Sequence, residues 1–183
     1  MTKSNKNYNW SVFDMTVSTP TIEISPATAP AQLADIRALF LEYAQSLAFS
    51  LCFKSFDKEL AELPGQYTPP QGALLLATVN GHAAGCCCLQ RLDQNNCEMK
   101  RLYVRPHFRG LGVGHRLTKQ IIAEASKLGY DHMRLETIAE KMDEAIHLYR
   151  QLGFNEIAPY HANTITSALY MELPLRRPSP DRK

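Results

Sequence analysis

The chain has 183 residues, of which 45% are apolar and 21% are charged, and its formal net charge is +2. These values fit one ordinary globular domain and argue against disorder. They also lack the clustered basic excess that nucleic-acid binding needs. No apolar run approaches the roughly 18 residues of a membrane-spanning helix, and the N-terminus has no apolar signal-peptide segment. We therefore expect a cytoplasmic protein with no nucleic-acid partner and no membrane partner.

The predicted elements lie between a polar leader at residues 1–20 and a basic, proline-broken tail at 174–183. Residues 21–173 are expected to form a single domain. Apolar periodicity and helix-stop signals predict strands at 21–25, 73–79, 83–92, 97–104, 133–138, 154–158 and 168–173, and helices at 30–47, 56–63, 112–128 and 143–152. Asn80-Gly81 is a strong hairpin signal, because both turn positions need positive φ.

This order of elements predicts an α+β fold, with a mixed, mainly antiparallel sheet and helices on both faces. The strands at 97–104 and 133–138 should be parallel if the helix between them makes the usual right-handed crossover. No internal repeat or interdomain linker interrupts the pattern.

The five cysteines include a contiguous run, Cys86, Cys87 and Cys88. Neighbours on a strand point to opposite faces, which argues against a disulfide framework. We expect reduced, mostly buried thiols. A catalytic cysteine is a weaker alternative, because no paired base is evident. The cysteines and histidines show no zinc-ligand spacing, so no metal is expected.

A glycine-rich turn, RGLGVG, occupies residues 109–114 between a predicted strand and a predicted helix. Its glycines remove side chains, so backbone N–H groups at the helix start can converge on an anion, of which phosphate is the natural example. Basic residues surround the turn: Arg105, His107, Arg109, Arg116 and Lys119. The turn also fits a ligand-free connection. It fails the dinucleotide fingerprint and the P-loop, because His115 stands where glycine is required.

Two stretches carry a resemblance to a known family. CEMKRLYVRPHFRGLGVGHRL, residues 97–117, resembles the acetyl-CoA-binding motif of the GNAT superfamily of N-acetyltransferases, with Arg109, Gly112 and Gly114 at its signature positions. AIHLYRQLGF, residues 145–154, resembles the second motif of that family. One position departs from it, because Met142 stands where the family often has Asn.

The resemblance implies a GNAT-like fold whose central parallel strands splay into a wedge for the pantetheine arm of acetyl-CoA. It implies that backbone near 102–104 pairs with that arm and that the N–H of Val104 polarises the acetyl carbonyl. The implied cofactor-binding residues are Leu102, Tyr103, Val104, Arg109, Gly110, Leu111, Gly112, Val113, Gly114 and Met142.

The resemblance further implies direct transfer of the acetyl group to a primary amine. Tyr149 is the candidate acid, since its ordinary pKa of about 10 lies near that of a thiol leaving group; it also fits a buried helical stripe. Glu98 is the candidate base, directly or through water, and it equally fits a solvated strand carboxylate. Glu136 and Glu140 are lesser alternatives.

The acceptor site is harder to predict. The proline-rich segment 63–72, which holds Tyr67, forms with Phe49, Phe53 and Phe56 either the wall of an acceptor pocket or a packed loop. The expected partner is a small-molecule or peptide amine, and a homodimer stays open. Two other functions also stay open. One is a catalytically silent acetyl-CoA-binding regulatory module, which Met142 favours; the other, less supported, is a nucleotide-phosphate binder of another fold.

Overall fold

The computed structural model describes residues 19–47, 53–138, 142–161 and 168–175. Most of the predicted leader and tail lie outside these residues, as do Phe49, Cys52 and Glu140. The strands are β1 (Ile22–Pro26), β2 (Ala73–Val79), β3 (His82–Arg91), β4 (Asn96–Val104), β5 (His132–Ile138), β6 (Asn155–Ile157) and β7 (Ala168–Pro174). The helices are α1 (Pro30–Ser46), α2 (Phe53–Ala61), α3 (Val113–Lys127) and α4 (Asp143–Gln151).

The strands form one sheet in the order β1-β2-β3-β4-β5-β7-β6. β4 and β5 are parallel, whereas the other neighbouring strands of the described chain pair antiparallel. The parallel pair arises because α3 carries the chain from the end of β4 back to the start of β5. The hairpin between β2 and β3 has positive φ at Asn80 (50°) and Gly81 (79°), as its sequence predicts. The α+β fold class is confirmed.

Helices cover both faces of the sheet. On one face α3 and α4 pack on a buried cluster that includes Leu117, Ile121 and Met133. On the other face α1 and α2 pack on a second cluster, to which α1 contributes Ile36 and Phe40. The burial of large apolar side chains in these two layers is the main stabilising contribution to such a fold.

The run of three cysteines shows how β3 serves both layers. Cys87 belongs to the cluster under α3, whereas Cys86 and Cys88 belong to the cluster under α1. All three thiols are buried and free, as is that of Cys97. The prediction of buried thiols is therefore confirmed for the described cysteines, and the alternation of β3 explains the burial of its three.

The predicted and observed boundaries differ most at α2, which begins at Phe53 rather than at residue 56. Phe56 is buried, and Phe53, three residues earlier, continues its apolar helical spacing. The sequence prediction therefore began this helix about one turn too late.

Candidate functional site

The central feature of the sheet is a wedge between β4 and β5. Their ladder pairs Asn96 with His132, Cys97 with Met133 and Glu98 with Arg134, and it ends there, although β4 continues to Val104 and β5 to Ile138. The backbone groups of residues 99–104 that face β5 therefore take no part in a strand ladder. An extended ligand could add to this edge in the way a strand does. The predicted splay of the central pair is confirmed.

β4 contains a bulge at the mouth of this wedge. Cys88 lies opposite Lys100 and Cys86 opposite Tyr103, so Arg101 and Leu102 together face only Cys87 on β3. Arg101 has a φ of 55°, which is uncommon for a residue with a side chain. Bulges of this kind re-aim backbone and side chains and are frequent beside active sites.

The side chain of Arg101 anchors the bulge to α2. Its Nε donates to Glu59 Oε1 at 3.0 Å, its Nη2 donates to the second carboxylate oxygen, and its guanidinium lies 5.4 Å from the Phe56 ring centre. Burial works to raise the pKa of Glu59, but the hydrogen bonds and charge of Arg101, together with the hydrogen bond from Tyr67, hold that pKa below its ordinary value. The hydroxyl of Tyr67 also donates to Glu59.

The glycine turn precedes α3 directly. Gly110 and Gly112 have φ values of 77° and 82°, and Gly112 is the cap residue before Val113, where α3 begins. A glycine cap brings no side-chain acceptor, so the first N–H groups of the helix remain available to an anion. The predicted turn and its position at a helix start are thus present in the structure.

The basic residues near the turn do not all serve it. Arg109 donates from Nε to the carbonyl oxygen of Val104 at 3.2 Å, which ties the turn to the end of β4. Arg105 points to α1, where its Nη2 lies 2.7 Å from Glu42 Oε1, and it also donates to the carbonyl oxygen of Ala83 at 2.6 Å. The charge of Arg105 is therefore directed toward Glu42 rather than toward the turn.

Tyr149 borders the wedge from α4. Tyr149 is 6% exposed, and its ring centre lies 5.7 Å from that of Phe154. Burial raises the pKa of its hydroxyl. Met142, the cap residue of α4, lines the same cleft, and its Sδ accepts a hydrogen bond of 3.1 Å from Thr137 Oγ1. Leu102 of β4 faces these residues across the cleft. The structure therefore brings together residues from both predicted motifs.

Glu98 lies where the β4–β5 ladder ends, and it is buried rather than solvated. Its Oε1 accepts a hydrogen bond from Tyr160 Oη and its Oε2 one from Gln90 Nε2, both at 2.7 Å. The ammonium of Lys100 lies 3.7 Å from Oε2. The alternative that Glu98 is a solvent-exposed strand carboxylate is therefore wrong, because the side chain is buried and hydrogen-bonded.

A polar aromatic cluster around Glu98 was not foreseen. We call it the Glu98–His161 cluster; its members are Glu98, Glu136, Tyr160, His161 and Tyr170. His161 Nε2 lies 3.2 Å from Glu136 Oε2 and 3.9 Å from Glu98 Oε1. The His161 ring stands edge-on to Tyr160 and Tyr170, with ring centres 4.8 and 5.3 Å away. The only local signal in the sequence was two adjacent polar aromatic residues after a short strand.

The residues proposed to wall an acceptor pocket have a structural role where the structure describes them. Tyr67 is 2% exposed and stacks edge-to-face on Phe40, with ring centres 6.2 Å apart. Phe56 is buried in the same layer under the Arg101 guanidinium. Of the two alternatives, Tyr67 and Phe56 thus support the packed loop. The side chain of Phe53 lies outside the described residues.

The described residues also bear on metal centres, membrane-spanning helices and reactive cysteines. Those residues contain no group of three or more histidine, cysteine or acidic side chains placed to hold a metal ion, and none of their helices is long and apolar enough to cross a membrane. Burial raises the pKa of Cys97 to about 12 and those of the three contiguous cysteines above their ordinary value. These thiols are poor nucleophiles at neutral pH.

Comparisons with known proteins bear on this site. The model of the acetyltransferase (GNAT) family matches residues 34–154. An uncharacterized N-acetyltransferase of Schizosaccharomyces pombe is 40% identical over 158 residues, which cover 85% of this chain and 96% of the relative. A GNAT-family acetyltransferase structure from Staphylococcus aureus aligns with a TM-score of 0.71 and 21% identity, covering 85% of this chain and 100% of its own. The YncA protein of Salmonella typhimurium, solved with its cofactor acetyl-CoA, aligns with a TM-score of 0.62 and 20% identity over 88% and 99% of the two chains.

Proposed function

This chain belongs to the acetyltransferase (GNAT) family and is an acetyl-CoA-dependent N-acetyltransferase, and we propose that it transfers the acetyl group directly to a primary amine. One observation carries the proposal. The β4–β5 ladder stops at Glu98, and the resulting wedge joins an open strand edge, Tyr149 and the Glu98–His161 cluster. A cofactor arm, a proton donor and an acceptor site can therefore meet without a covalent acyl-enzyme step.

The residues present fit acetyl-CoA. The open edge of β4 at Leu102, Tyr103 and Val104 offers backbone groups to the pantetheine arm. The turn from Arg109 to Gly114 offers helix N–H groups to the pyrophosphate, and the positive φ of Gly110 and Gly112 keeps its backbone accessible. In this proposal Leu111 and Val113 contribute backbone to the turn, and the N–H of Val104 polarises the acetyl carbonyl.

Acetyl-CoA supplies the acetyl group as a thioester with a thiolate leaving group. We assign the hydroxyl of Tyr149 as the proton donor toward the sulfur. Burial raises its pKa, so the hydroxyl stays protonated across the neutral range and always presents a donor. Because that pKa lies above that of an ordinary thiol, about 8.5, hydrogen bonding to the sulfur as charge develops is its main contribution. Met142 borders this position as an apolar wall.

We assign Glu98 as the base, acting at one remove from the amine. Both of its oxygens already accept hydrogen bonds, and its residue is only 4% exposed. A carboxylate held in this way cannot easily contact a substrate nitrogen. It can draw the proton of the amine through water or a neighbouring side chain, and its charge then stabilises the cation that forms.

The acceptor is proposed to be a small-molecule or peptide amine. The Glu98–His161 cluster supports this class, because its two carboxylates attract an ammonium group. A reducing compartment such as the cytoplasm suits the four free described cysteines, and that location remains a prediction, as does a homodimer.

The proposal is tested by measuring release of CoA from acetyl-CoA against a panel of primary amines, amino acids and short peptides, with the acetylated product identified by mass spectrometry. Transfer to at least one amine, saturable in both substrates, is the expected result. Tight acetyl-CoA binding without transfer to any amine would instead favour the silent regulatory module. Two observations favour the enzyme: Tyr149 lines the wedge, and Glu98 lies where the β4–β5 ladder ends.

A further inference from the structure

We propose that His161 is the side chain that takes the proton from the acceptor ammonium, and that Glu136 and Glu98 orient it. This inference rests on the proposed transfer to an amine and names the group through which Glu98 acts. A primary alkylamine has a pKa near that of lysine, about 10.4, and is almost entirely cationic at pH 7. It must lose a proton before its nitrogen can attack a thioester.

The geometry resembles a carboxylate–imidazole pair. His161 Nε2 lies 3.2 Å from Glu136 Oε2, which is hydrogen-bonding distance, and 3.9 Å from Glu98 Oε1. A proton on Nε2 then donates to Glu136 and leaves Nδ1 as the acceptor nitrogen. The side chain of His161 is 39% exposed, whereas that of Glu98 is 6% exposed. His161 is therefore accessible from solvent to a degree that Glu98 is not.

Acidic and aromatic side chains surround the imidazole of His161. The described titratable groups in contact with His161 are Glu98 of β4, Glu136 of β5, Tyr170 of β7 and the adjacent Tyr160. Two cations lie one step further away: Lys100 pairs with Glu98, and Arg134 lies over the Tyr160 ring. Arg134 is already paired with Glu172 at 2.7 Å. The carboxylates of Glu136 and Glu98, 3.2 and 3.9 Å from Nε2, are the charged groups placed to orient the ring.

Tyr160 holds this arrangement together. Its hydroxyl donates to Glu98 Oε1 at 2.7 Å, and its ring packs edge-on against both His161 and Tyr170. The contact fixes the carboxylate and the imidazole relative to each other. Tyr160 is accordingly a positioning residue.

The proton balance is simple. The ammonium gives one proton to Nδ1 of His161, and the exposed imidazole later passes it to solvent. The neutral nitrogen forms the C–N bond as the C–S bond breaks. The nitrogen loses a second proton, and the sulfur gains one. The products are an amide, free CoA and one proton, as the stoichiometry of amide formation from an ammonium requires.

The test compares His161→Gln with the parent on two acceptors: the primary alkylamine that the parent acetylates best, and methoxyamine, which is largely neutral at pH 7. At pH 7 kcat/KM for the alkylamine should fall by roughly 10²-fold or more, the usual share of a general base. The loss should be much smaller with methoxyamine, and it should shrink for the alkylamine as pH approaches 10. His147→Gln on α4, an exposed histidine next to Gln151, is the matched control and should change neither rate.

A second variant guards against a purely structural effect. Because His161 is partly exposed, His161→Ala should regain activity with the alkylamine when imidazole is added. An equal loss on both acceptors together with no imidazole rescue would overturn the role of His161 while leaving the proposed function intact. Unchanged alkylamine kinetics in His161→Gln would do the same. If the parent binds acetyl-CoA but acetylates no amine, the proposed function itself fails and this inference fails with it.

Discussion

Tyr149 and Tyr130 belong to the same hydrophobic cluster and are buried to a similar degree, with 6% and 5% of their surfaces exposed. Their hydroxyls differ in surroundings. That of Tyr130 donates to the carbonyl oxygen of Gln71 at 2.7 Å, a contact typical of a structural tyrosine. Tyr149 instead borders the wedge beside Thr137 and Met142. The pair therefore allows a comparison between a hydroxyl with a described structural partner and the proposed proton donor.

Replacing Tyr149 with Phe should lower turnover by roughly 10²-fold while leaving acetyl-CoA affinity near its parent value, because the hydroxyl acts mainly in the transition state. Its ring packing on Phe154 would be kept, so stability should change little. Tyr130→Phe is the control: it should lose about 1 kcal/mol of stability from the broken hydrogen bond and keep its turnover. Melting temperature, affinity and turnover of both variants decide the matter, and equal turnover in parent and Tyr149→Phe would remove the hydroxyl from the mechanism.

Individual site residues could be predicted only as far as local pattern and family resemblance reach. Glu98 and Tyr149 were predicted from the two motifs, but the hydrogen bond between Glu98 and Tyr160 joins residues 62 positions apart in the chain. His161 lies in an irregular segment without periodicity, and only the pairing of β5 with β7 brings Glu136 and Tyr170 to its side. Contacts of this range leave no trace in a local sequence window.

Among the elements, those with strong periodicity were predicted closely, and irregular features were missed. The alternation of Leu169, Met171 and Leu173 indicates one apolar face of β7, and all three contribute to the cluster under α3 and α4. The bulge of β4 was not predicted, because it exists only relative to the register of β3. Arg101, at the bulge, forms an ion pair with Glu59 of α2. Because the two residues are distant in sequence, no single segment predicts the bulge.

The Arg101–Glu59 pair should therefore stabilise both the bulge and the position of α2. We expect Glu59→Gln to lower the free energy of unfolding at pH 7 by roughly 3 kcal/mol, since removing one partner leaves the other charge buried and unpaired. Their side chains are only 13% and 11% exposed. Glu62→Gln is the matched control, because its pair with Lys58 is exposed and should contribute under about 0.5 kcal/mol. Urea denaturation of the three proteins measures both effects.

The same pair gives a pH dependence with a definite sign. The pKa of Glu59 is lower in the folded protein than its unfolded value of about 4.3, so its contribution is fully present above that value and is lost as pH falls through the folded pKa. The difference in unfolding free energy between the parent and Glu59→Gln should thus be constant from roughly pH 6 to 8, which lies above both the folded and the unfolded pKa. The difference should become smaller in acid. A difference that widened in acid would contradict the assignment.

At the scale of the whole molecule, the wedge is a consequence of the sheet order. β5 pairs with β4 for only three residues but with β7 along its whole length, so the two halves of the sheet diverge after Glu98. The glycine turn lies at the far end of β4 and the Glu98–His161 cluster at the point of divergence. Cofactor and acceptor would then approach the same opening from different ends, which allows direct transfer between them.

If the turn holds the pyrophosphate, acetyl-CoA at about 100 times its Kd should stabilise the protein by about 2.7 kcal/mol, because a ligand that binds only the folded state shifts the unfolding equilibrium. For a chain of this size the melting temperature should rise by roughly 5–10 °C. Gly112→Val should abolish that rise, because its branched side chain would occupy the space in which the phosphate approaches the backbone. The φ of Gly112 is 82°.

Gly129→Val is the control for backbone strain alone. Gly129 has a φ of 87°, has open space around an added Cβ, and lies beyond the opposite end of α3. Both variants should lose stability by a similar amount, but only Gly129→Val should keep the full response to acetyl-CoA. A Gly112→Val protein that acetyl-CoA still stabilised as much as the parent would show that the cofactor phosphates bind elsewhere.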